Sequence, residues 1–467
     1  MHHLRAWLGL ALLPLAVAMS GCAGLVSQSA TPPPPPPADF HKLNHIIFMA
    51  QENRSFDHYF GHLNQYRQTL GLPQDVDGTP ANASNPSFDG TSTVSAFPMT
   101  SVCQENVSPS WNESHVDWNL QDPVSSTPAL DGFVWNAANL AINTNTQAGQ
   151  QIFSDTLGIR AMGFYDAGDL PYYYFMASNF ATSDRWFSPV MSRTQPNRMY
   201  MLAATSAGHA YPLAANEGQL TSKTIFELLD EHGISYKIYV TDQTGSEPAT
   251  AFTMFSYSNQ HMDHVVPVSQ YFTDVAQGTL PQVALIESGY NSGRDEHPAV
   301  DPSLGPAGSV QVGAQYVSTI INALMNSPSW KDSAFILTHD EAGGFYDHVQ
   351  PQPAINPDGM SPGDLLAGDV CTANSGANCN FDSTGYRVPL IVVSPFTRKN
   401  YVSHTTADYT AILKLIETRF GLPSLTKRDA AQMDMTEFFD FTNAPWATPP
   451  TPPVQPVDGP CYLNHLP

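Results

Sequence analysis

The chain has 467 residues, enough for one large domain or two ordinary ones, and its 42% apolar content with 24 Phe, 19 Tyr and 7 Trp allows a large core. Acidic residues outnumber basic ones 42 to 19, a formal charge of −23. That balance leaves no basic stripe for a nucleic acid backbone, so it argues against a nucleic acid partner, and it opposes steering to an anionic membrane surface.

The first residues carry the pattern of an export signal. His2-His3-Leu4-Arg5 is a mildly positive start, residues 6–18 form an apolar run too short for a confident membrane span, and Met19-Ser20-Gly21-Cys22 supplies small residues for cleavage. The end of the run resembles a bacterial lipobox, which makes Cys22 the candidate lipid-bearing first residue of the mature chain. Met19 stands where leucine is usual, so ordinary cleavage and a retained anchor stay open. Residues 22–38, with prolines at 32–37, read as a tether that holds a folded domain off a membrane.

Beyond it, residues 43–51 are almost continuously apolar, which predicts a strand buried on both faces. It runs straight into Glu52-Asn53-Arg54-Ser55-Phe56-Asp57-His58-Tyr59-Phe60-Gly61, and open α/β sheets keep their sites at such carboxyl ends. Residues 72–130, rich in Asn, Ser, Thr, Pro and Gly, read as long loops forming a rim. Next, Asp169-Leu170-Pro171 opens a helix to Asn179, with proline in its first turn. A strand at 184–190, a turn carrying Thr194 and a helix to about Ser206 follow. Thr221 is the expected cap of a helix at 224–232 that Gly233 ends. Strands are expected at 236–240, 282–287, 334–338 and 388–393, and helices at 310–326 and 406–420. The proline-rich tail from Pro445 is expected along the surface. Strands alternating with helices predict an α/β fold with a mostly parallel sheet covered on both faces.

Setting Cys22 aside leaves Cys103, Cys371, Cys379 and Cys461, an even set that suits disulfides in an exported chain. Cys371 with Cys379 would close a short loop and Cys103 with Cys461 would staple the tail, but four cysteines allow three pairings and all stay open. The spacing matches no zinc motif.

Three places supply polar residues at or after strand ends: Glu52-Asn53, Asp340-Glu341, and Thr194. In a parallel sheet they converge on one edge. Carboxylates, a neutral carbonyl oxygen and a hydroxyl make an all-oxygen set for a hard divalent cation of open identity. Such a cation would lower the pKa of the Thr194 hydroxyl and make it nucleophilic. Without it, adjacent buried carboxylates repel and one must stay protonated. Pro196 stiffens the turn, and Arg198 either faces a phosphate or braces the loop. Gly343-Gly344 suggests close backbone packing round a site. Among 16 histidines, His115, His264 and His297 lie near expected strand ends and offer imidazoles for phosphate oxygens or a leaving group. His348 suits a brace equally well.

Together, Glu52–Gly61, Thr194-Gln195-Pro196-Asn197-Arg198, Asp295-Glu296-His297-Pro298 and Asp340-Glu341-Ala342-Gly343-Gly344-Phe345-Tyr346-Asp347-His348-Val349 make the chain resemble the bacterial phosphoesterase family. That family includes the non-haemolytic type phospholipases C and the respiratory-burst-inhibiting acid phosphatases. The motifs keep the family order over roughly residues 42–425. The resemblance implies an alkaline-phosphatase-like, three-layer α/β/α sandwich with long loop insertions. It also implies a metal held by Glu52, Asn53, Thr194, Asp340 and Glu341, with His115, His264 and His297 round the phosphoryl group. His297 sits in the clearest motif and His264 in the loosest. Met191-Ser192-Arg193 departs from a glycine common before the nucleophile, and His339 from the aromatic often found before Asp340-Glu341.

Thr194 stands where the phospholipase branch has threonine and the acid phosphatase branch serine. The implied function is metal-dependent, phospholipase C-type cleavage of phospholipid head groups through a phosphothreonine. Acid phosphatase activity is the alternative, favoured by compactness and acidity. A non-catalytic surface lipoprotein that binds phosphorylated ligands is a distant third, since it predicts a lost metal ligand and none is missing. Sulfatases of related pattern oxidise Cys or Ser to an aldehyde; threonine would give a ketone, which excludes them. The expected organisation is a signal at 1–21, tether at 22–38, catalytic domain at 39–442 and tail at 443–467, on an exported, lipid-anchored or periplasmic protein whose oligomeric state the sequence leaves open.

Overall fold

A computed structural model describes residues 38–304, 308–373, 376–464 and 466. The export signal, Cys22 and the tether as far as residue 37 lie outside the described residues. The described part opens on a 3-10 turn, Ala38–Lys42.

The centre is an eight-stranded sheet. In chain order its strands are β1 His45–Gln51, β2 Ala181–Ser183, β3 Tyr236–Val240, β4 Val265–Pro267, β5 Val283–Glu287, β6 Ser333–His339, β7 Leu390–Val393 and β8 Tyr401–Ser403. Their spatial order is β4-β3-β5-β1-β6-β7-β2-β8. Only β7 runs against its neighbours, β6 and β2; the other pairings are parallel. β1 is central, with Met49 opposite Ile286 of β5 and Leu337 of β6.

The sequence of β1 shows why. Ile46, Phe48 and Ala50 enter one apolar layer while Ile47 and Met49 enter the other, all fully buried. A strand covered on both faces needs this unbroken run, and each buried Ile or Phe side chain stabilises by roughly 1.5–3 kcal/mol.

Helices fill both layers. α1 Phe56–Phe60, α4 Pro171–Asn179, α7 Val268–Gln277 and α8 Val310–Met325 share the layer of Ile47 and Met49. α5 Thr194–Ala203, α6 Ile225–Glu231 and α9 Ala411–Phe420 share that of Ile46 and Phe48. α2 Trp111–Trp118 and α3 Phe133–Ala148 lie in the long insertion after α1. The expected α/β/α sandwich with a mostly parallel sheet is therefore what the chain forms.

Several expectations change in detail. The strand expected at 184–190 does not form as such: the sheet strand β2 ends just before it, at Ser183, where Asp184 turns inward to accept from the Asp77 amide at 2.7 Å while Arg185 pairs with the Asp77 carboxylate at 2.7 Å. Residues Trp186–Phe187 then pair with Ala407–Asp408 outside the main sheet. That pairing also delays the helix expected from 406, which starts at Ala411. The cap of α6 is Thr224, whose hydroxyl accepts from the Glu227 amide, rather than Thr221. α2 emerges from the stretch read as loop.

Of the three pairings open to the cysteines, the chain forms Cys103–Cys461 and Cys371–Cys379. The tail is also held by Trp446, whose carbonyl accepts from the Trp330 indole at 3.0 Å. No helix among the described residues is long and apolar enough to cross a membrane.

Candidate active site

Parallel strands β1, β5 and β6 end on the same sheet edge, and each ends in polar residues. Past β1, the Asn53 amide donates to Asp340 Oδ1 at 3.1 Å and the Arg54 amide to the Glu341 carbonyl at 3.0 Å, so the exits of β1 and β6 stay bonded. Asn53 makes this turn at φ 56°, a left-handed conformation that asparagine tolerates better than most residues. Gly343 and Gly344 follow at φ 73° and 74°. A Cβ on Gly343 would stand 2.5 Å from the Asn53 carbonyl oxygen, and one on Gly344 would stand 2.7 Å from Val107 Cγ1. The double glycine is thus a consequence of close packing behind the site.

Thr194 is the first residue of α5, with Arg193 as N-cap. Pro196 lies in the first turn, where no intrahelical donor is lost. The turn before it is pinned by Asn197, whose amide group accepts from the Val190 amide at 3.2 Å and donates to the Ser192 carbonyl at 2.6 Å. Thr194 Oγ1 thereby donates to Glu52 Oε2 at 3.2 Å.

Of the two roles open to Arg198, the geometry gives the brace. Its Nη2 donates to Glu52 Oε1 at 2.6 Å and to the Ala50 carbonyl at 3.1 Å, and its Nη1 to Glu287 Oε2 at 3.3 Å. Its Nε lies 3.7 Å from Asp340 Oδ2, and its guanidinium sits 5.1 Å from the centre of the Tyr290 ring. Burial raises the Glu52 carboxyl, but Arg198 and His297 beside it hold it below the ordinary range. Asp340 is pushed well up by burial and then by the Glu52 charge, and Glu341 by burial and then by Asp340.

Negative charge therefore exceeds what one guanidinium neutralises. Asn53 Oδ1, Asp340 Oδ2 and Glu341 Oε1 are buried with no hydrogen-bond partner among the described residues. Buried oxygens are normally partnered, and an orphaned set of hard oxygens beside Glu52 and Thr194 fits a divalent cation. Among the described residues, two other groups bring carboxylate and imidazole atoms within 4.8 Å of one another: Asp57, Asp347 and His348, and Asp230, His261 and His264. The first is occupied by an internal cation. Arg387 Nε donates to Asp347 Oδ1 at 2.9 Å and Nη2 to Asp57 Oδ1 at 3.0 Å, and His348 Nδ1 lies 2.7 Å from Asp57 Oδ2. His348 is a brace between motifs.

His297 reaches the edge. The Glu52 amide donates to the Asp295 carbonyl at 2.9 Å, and the His297 ring, held below its ordinary value by burial, feels the Glu52 charge. Its Nδ1 lies 2.7 Å from the Pro298 carbonyl, which places a proton there and the lone pair on Nε2. The Asp295 carboxyl, buried close to Glu52, is pushed up to about 8. His339 turns away and meets Glu296 Oε2 at 3.2 Å, where Tyr59 also donates at 2.7 Å; it supports the fold of the edge.

The other two expected histidines make no hydrogen bond to Thr194 among the described residues. His115, fully buried in α2, has Nδ1 2.7 Å from the Trp111 carbonyl and Nε2 3.2 Å from the Asn378 carbonyl, so it anchors the loop closed by Cys371 and Cys379. His264 immediately precedes β4 and stacks on Tyr236, the first residue of β3, at the amino edge of the sheet. A histidine flanking a short strand looks the same in sequence at either end. Conversely, sequence reasoning misses Glu287 and Tyr290. Glu287 is the polar last residue of an expected strand, the same signal that marks Glu52.

A cavity of about 280 Å³ adjoins Thr194, lined by Gln195, Arg198, Thr250, Met254 and Tyr290 among others. A larger groove of about 660 Å³, lined by Arg398, Glu437 and Phe439, contains none of the motif residues.

Residues 43–423 match the model of a family described as the Phosphoesterase family. Phospholipase C B of Mycobacterium tuberculosis (strain CDC 1551 / Oshkosh) is 30% identical over 492 residues, covering 97% of this chain and 87% of that protein. Non-specific phospholipase C1 of Arabidopsis thaliana is 29% identical over 86% of this chain and 71% of its own. Among solved structures, a protein in the alkaline phosphatase superfamily from Vibrio parahaemolyticus is matched over 80% of this chain and 78% of that one, at 12% identity and a TM-score of 0.35.

Proposed function

The chain belongs to the Phosphoesterase family and is a hydrolase of phosphate esters, and from that premise we propose that it is a phospholipase C-type phosphodiesterase working through a phosphothreonine at Thr194. The observation that carries this reading is the Thr194 hydroxyl, 3.2 Å from Glu52 Oε2 and next to buried oxygens without partners.

Glu52, Asn53, Thr194, Asp340 and Glu341 would hold a divalent cation, which supplies a lowered hydroxyl pKa and neutralises charge on the phosphoryl oxygens. The residues do the rest. Glu52 Oε2 orients the hydroxyl by accepting its hydrogen bond, and the amino end of α5, which begins at Thr194, would favour negative charge on the phosphoryl oxygens. Thr194 Oγ1, its proton released to solvent as the cation would allow, forms a bond to phosphorus as the bond to the diacylglycerol oxygen breaks, and protonated His297 gives that oxygen its proton from Nε2. Water then gives one proton to His297 Nε2 while its oxygen bonds phosphorus and the Thr194–phosphorus bond breaks, which leaves Oγ1 deprotonated as at the start and releases the phosphorylated head group.

Threonine at 194 and relatives named as phospholipases C support a phosphodiester substrate. The test compares phosphatidylcholine with a simple phosphomonoester, with and without chelator. The expected result is faster cleavage of the lipid, loss of activity on chelation, and a fall of at least about 10³-fold in Thr194→Ala. Undiminished hydrolysis by that variant would remove the nucleophile, and a higher kcat/KM for the monoester would favour an acid phosphatase. The lipobox-like Met19–Cys22 supports export with a lipid at Cys22, which mass spectrometry of the amino-terminal peptide would check.

A further inference from the structure

At the amino edge of the sheet, a second constellation lies apart from Thr194. His261 caps the 3-10 turn Met262–His264. In such a turn residues three apart eclipse, and the His261 and His264 rings come to 6.3 Å between centroids. Each ring lies flat on a tyrosine: His264 on Tyr236 at 4.1 Å and His261 on Tyr257 at 3.9 Å. Both phenols donate to Asp230 Oδ2, that of Tyr236 at 3.3 Å. The stacks thus aim one carboxylate and two imidazoles at a common point, and the three offer ligand atoms within 4.8 Å of one another.

The surroundings are those of a ligand set. His264 Nδ1 lies 3.1 Å from the Tyr236 carbonyl, which places the proton there and leaves the Nε2 lone pair free. Metal-bound imidazoles are oriented by such a bond on their other nitrogen, and metal-bound carboxylates by donors such as these phenols. We propose that Asp230, His261 and His264 bind a borderline divalent cation, Zn²⁺ fitting best, at a site separate from the catalytic edge. Two imidazole nitrogens and one carboxylate oxygen, with water in the remaining position, suit zinc. Magnesium and calcium prefer the all-oxygen set at the other edge. The bound ion ties the carboxyl end of α6 to the segment 256–264.

The test titrates Zn²⁺ calorimetrically into the full chain as purified, with Mg²⁺ in excess, and follows the thermal midpoint. His261→Phe and His264→Phe keep the ring stacks and remove one ligand each. One zinc equivalent should bind the native chain and raise its midpoint. Each variant should bind at least tenfold more weakly, and His261→Phe should retain native phosphoesterase activity. Equal zinc uptake by the native chain and the double variant, or unchanged affinity in the single variants, would overturn the site.

Discussion

Arg198 illustrates how a buried ion is placed: it touches Glu52 and Glu287, lies near Asp340, and keeps the carboxylate that receives the Thr194 hydroxyl ionised. A contrasting carboxyl pair lies far along the chain, in and after α9. Glu417 is buried against Asp429, with Ser424 donating to it at 2.8 Å, and burial followed by the Asp429 contact pushes it up to about 9. Because its folded value exceeds the ordinary 4.5, the folded state keeps a proton that the unfolded chain has released. Stability therefore falls as pH rises between those values, by up to about 1.4 kcal/mol per pH unit. Glu417→Gln should remove that slope, leaving the variant no more stable near pH 4 and clearly more stable near pH 9 by urea unfolding. A variant with the native slope would show that Glu417 does not carry the proton. In the site, Glu52-Asn53 and Asp340-Glu341 were legible because polar residues follow apolar runs directly. Arg198 was legible as either a phosphate contact or a brace, but the choice between them was not, since its partners Glu287 and Ala50 come from other strands.

At the level of elements, the strand cores were readable and their directions were not. An apolar run such as Leu390–Val393 reads alike parallel or antiparallel; its reversal follows from how residues 342–389 return to the sheet. β4 has three residues, too short for a periodic signal, and so the end at which His264 lies was hidden. The turn after β6 is where an element's geometry bears on the proposed site. Gly343→Ala would place a methyl 2.5 Å from the Asn53 carbonyl at a left-handed φ of 73°. The conformation alone costs about 1–2 kcal/mol, and relief of the clash would displace Asn53 or Glu341, so activity should fall well beyond the stability loss. Gly421, which ends α9 at φ 68° and where a Cβ would meet nothing within 4 Å, is the control. Gly421→Ala should lose about 1–2 kcal/mol and keep native kcat. Equal kcat in both variants would detach the turn from catalysis.

Across the whole molecule, the two disulfides act on different scales. Cys103 and Cys461 are 358 residues apart, Cys371 and Cys379 only 8. The longer link joins the tail to the segment leading through Gln104, which accepts from Arg54 at 3.5 Å, to Val107, which backs Gly344. The shorter one closes the loop that His115 holds from beneath. On the chain-entropy model, a cross-link stabilises by restricting the unfolded chain, by about 2.5 kcal/mol for a loop as short as the second and about 5 kcal/mol or more for one as long as the first. Removing Cys103 and Cys461 together, as serines, should therefore lower unfolding free energy more than removing Cys371 and Cys379, by about 3 kcal/mol in denaturant titration. The tail keeps its Trp446 and Tyr462 hydrogen bonds to the body, which act in the folded state and survive the substitution. The difference between the pairs thus reports on the unfolded chain. If the short-loop variant proved the less stable, folded-state packing round His115 would outweigh loop closure, and the tail link would be dispensable for stability.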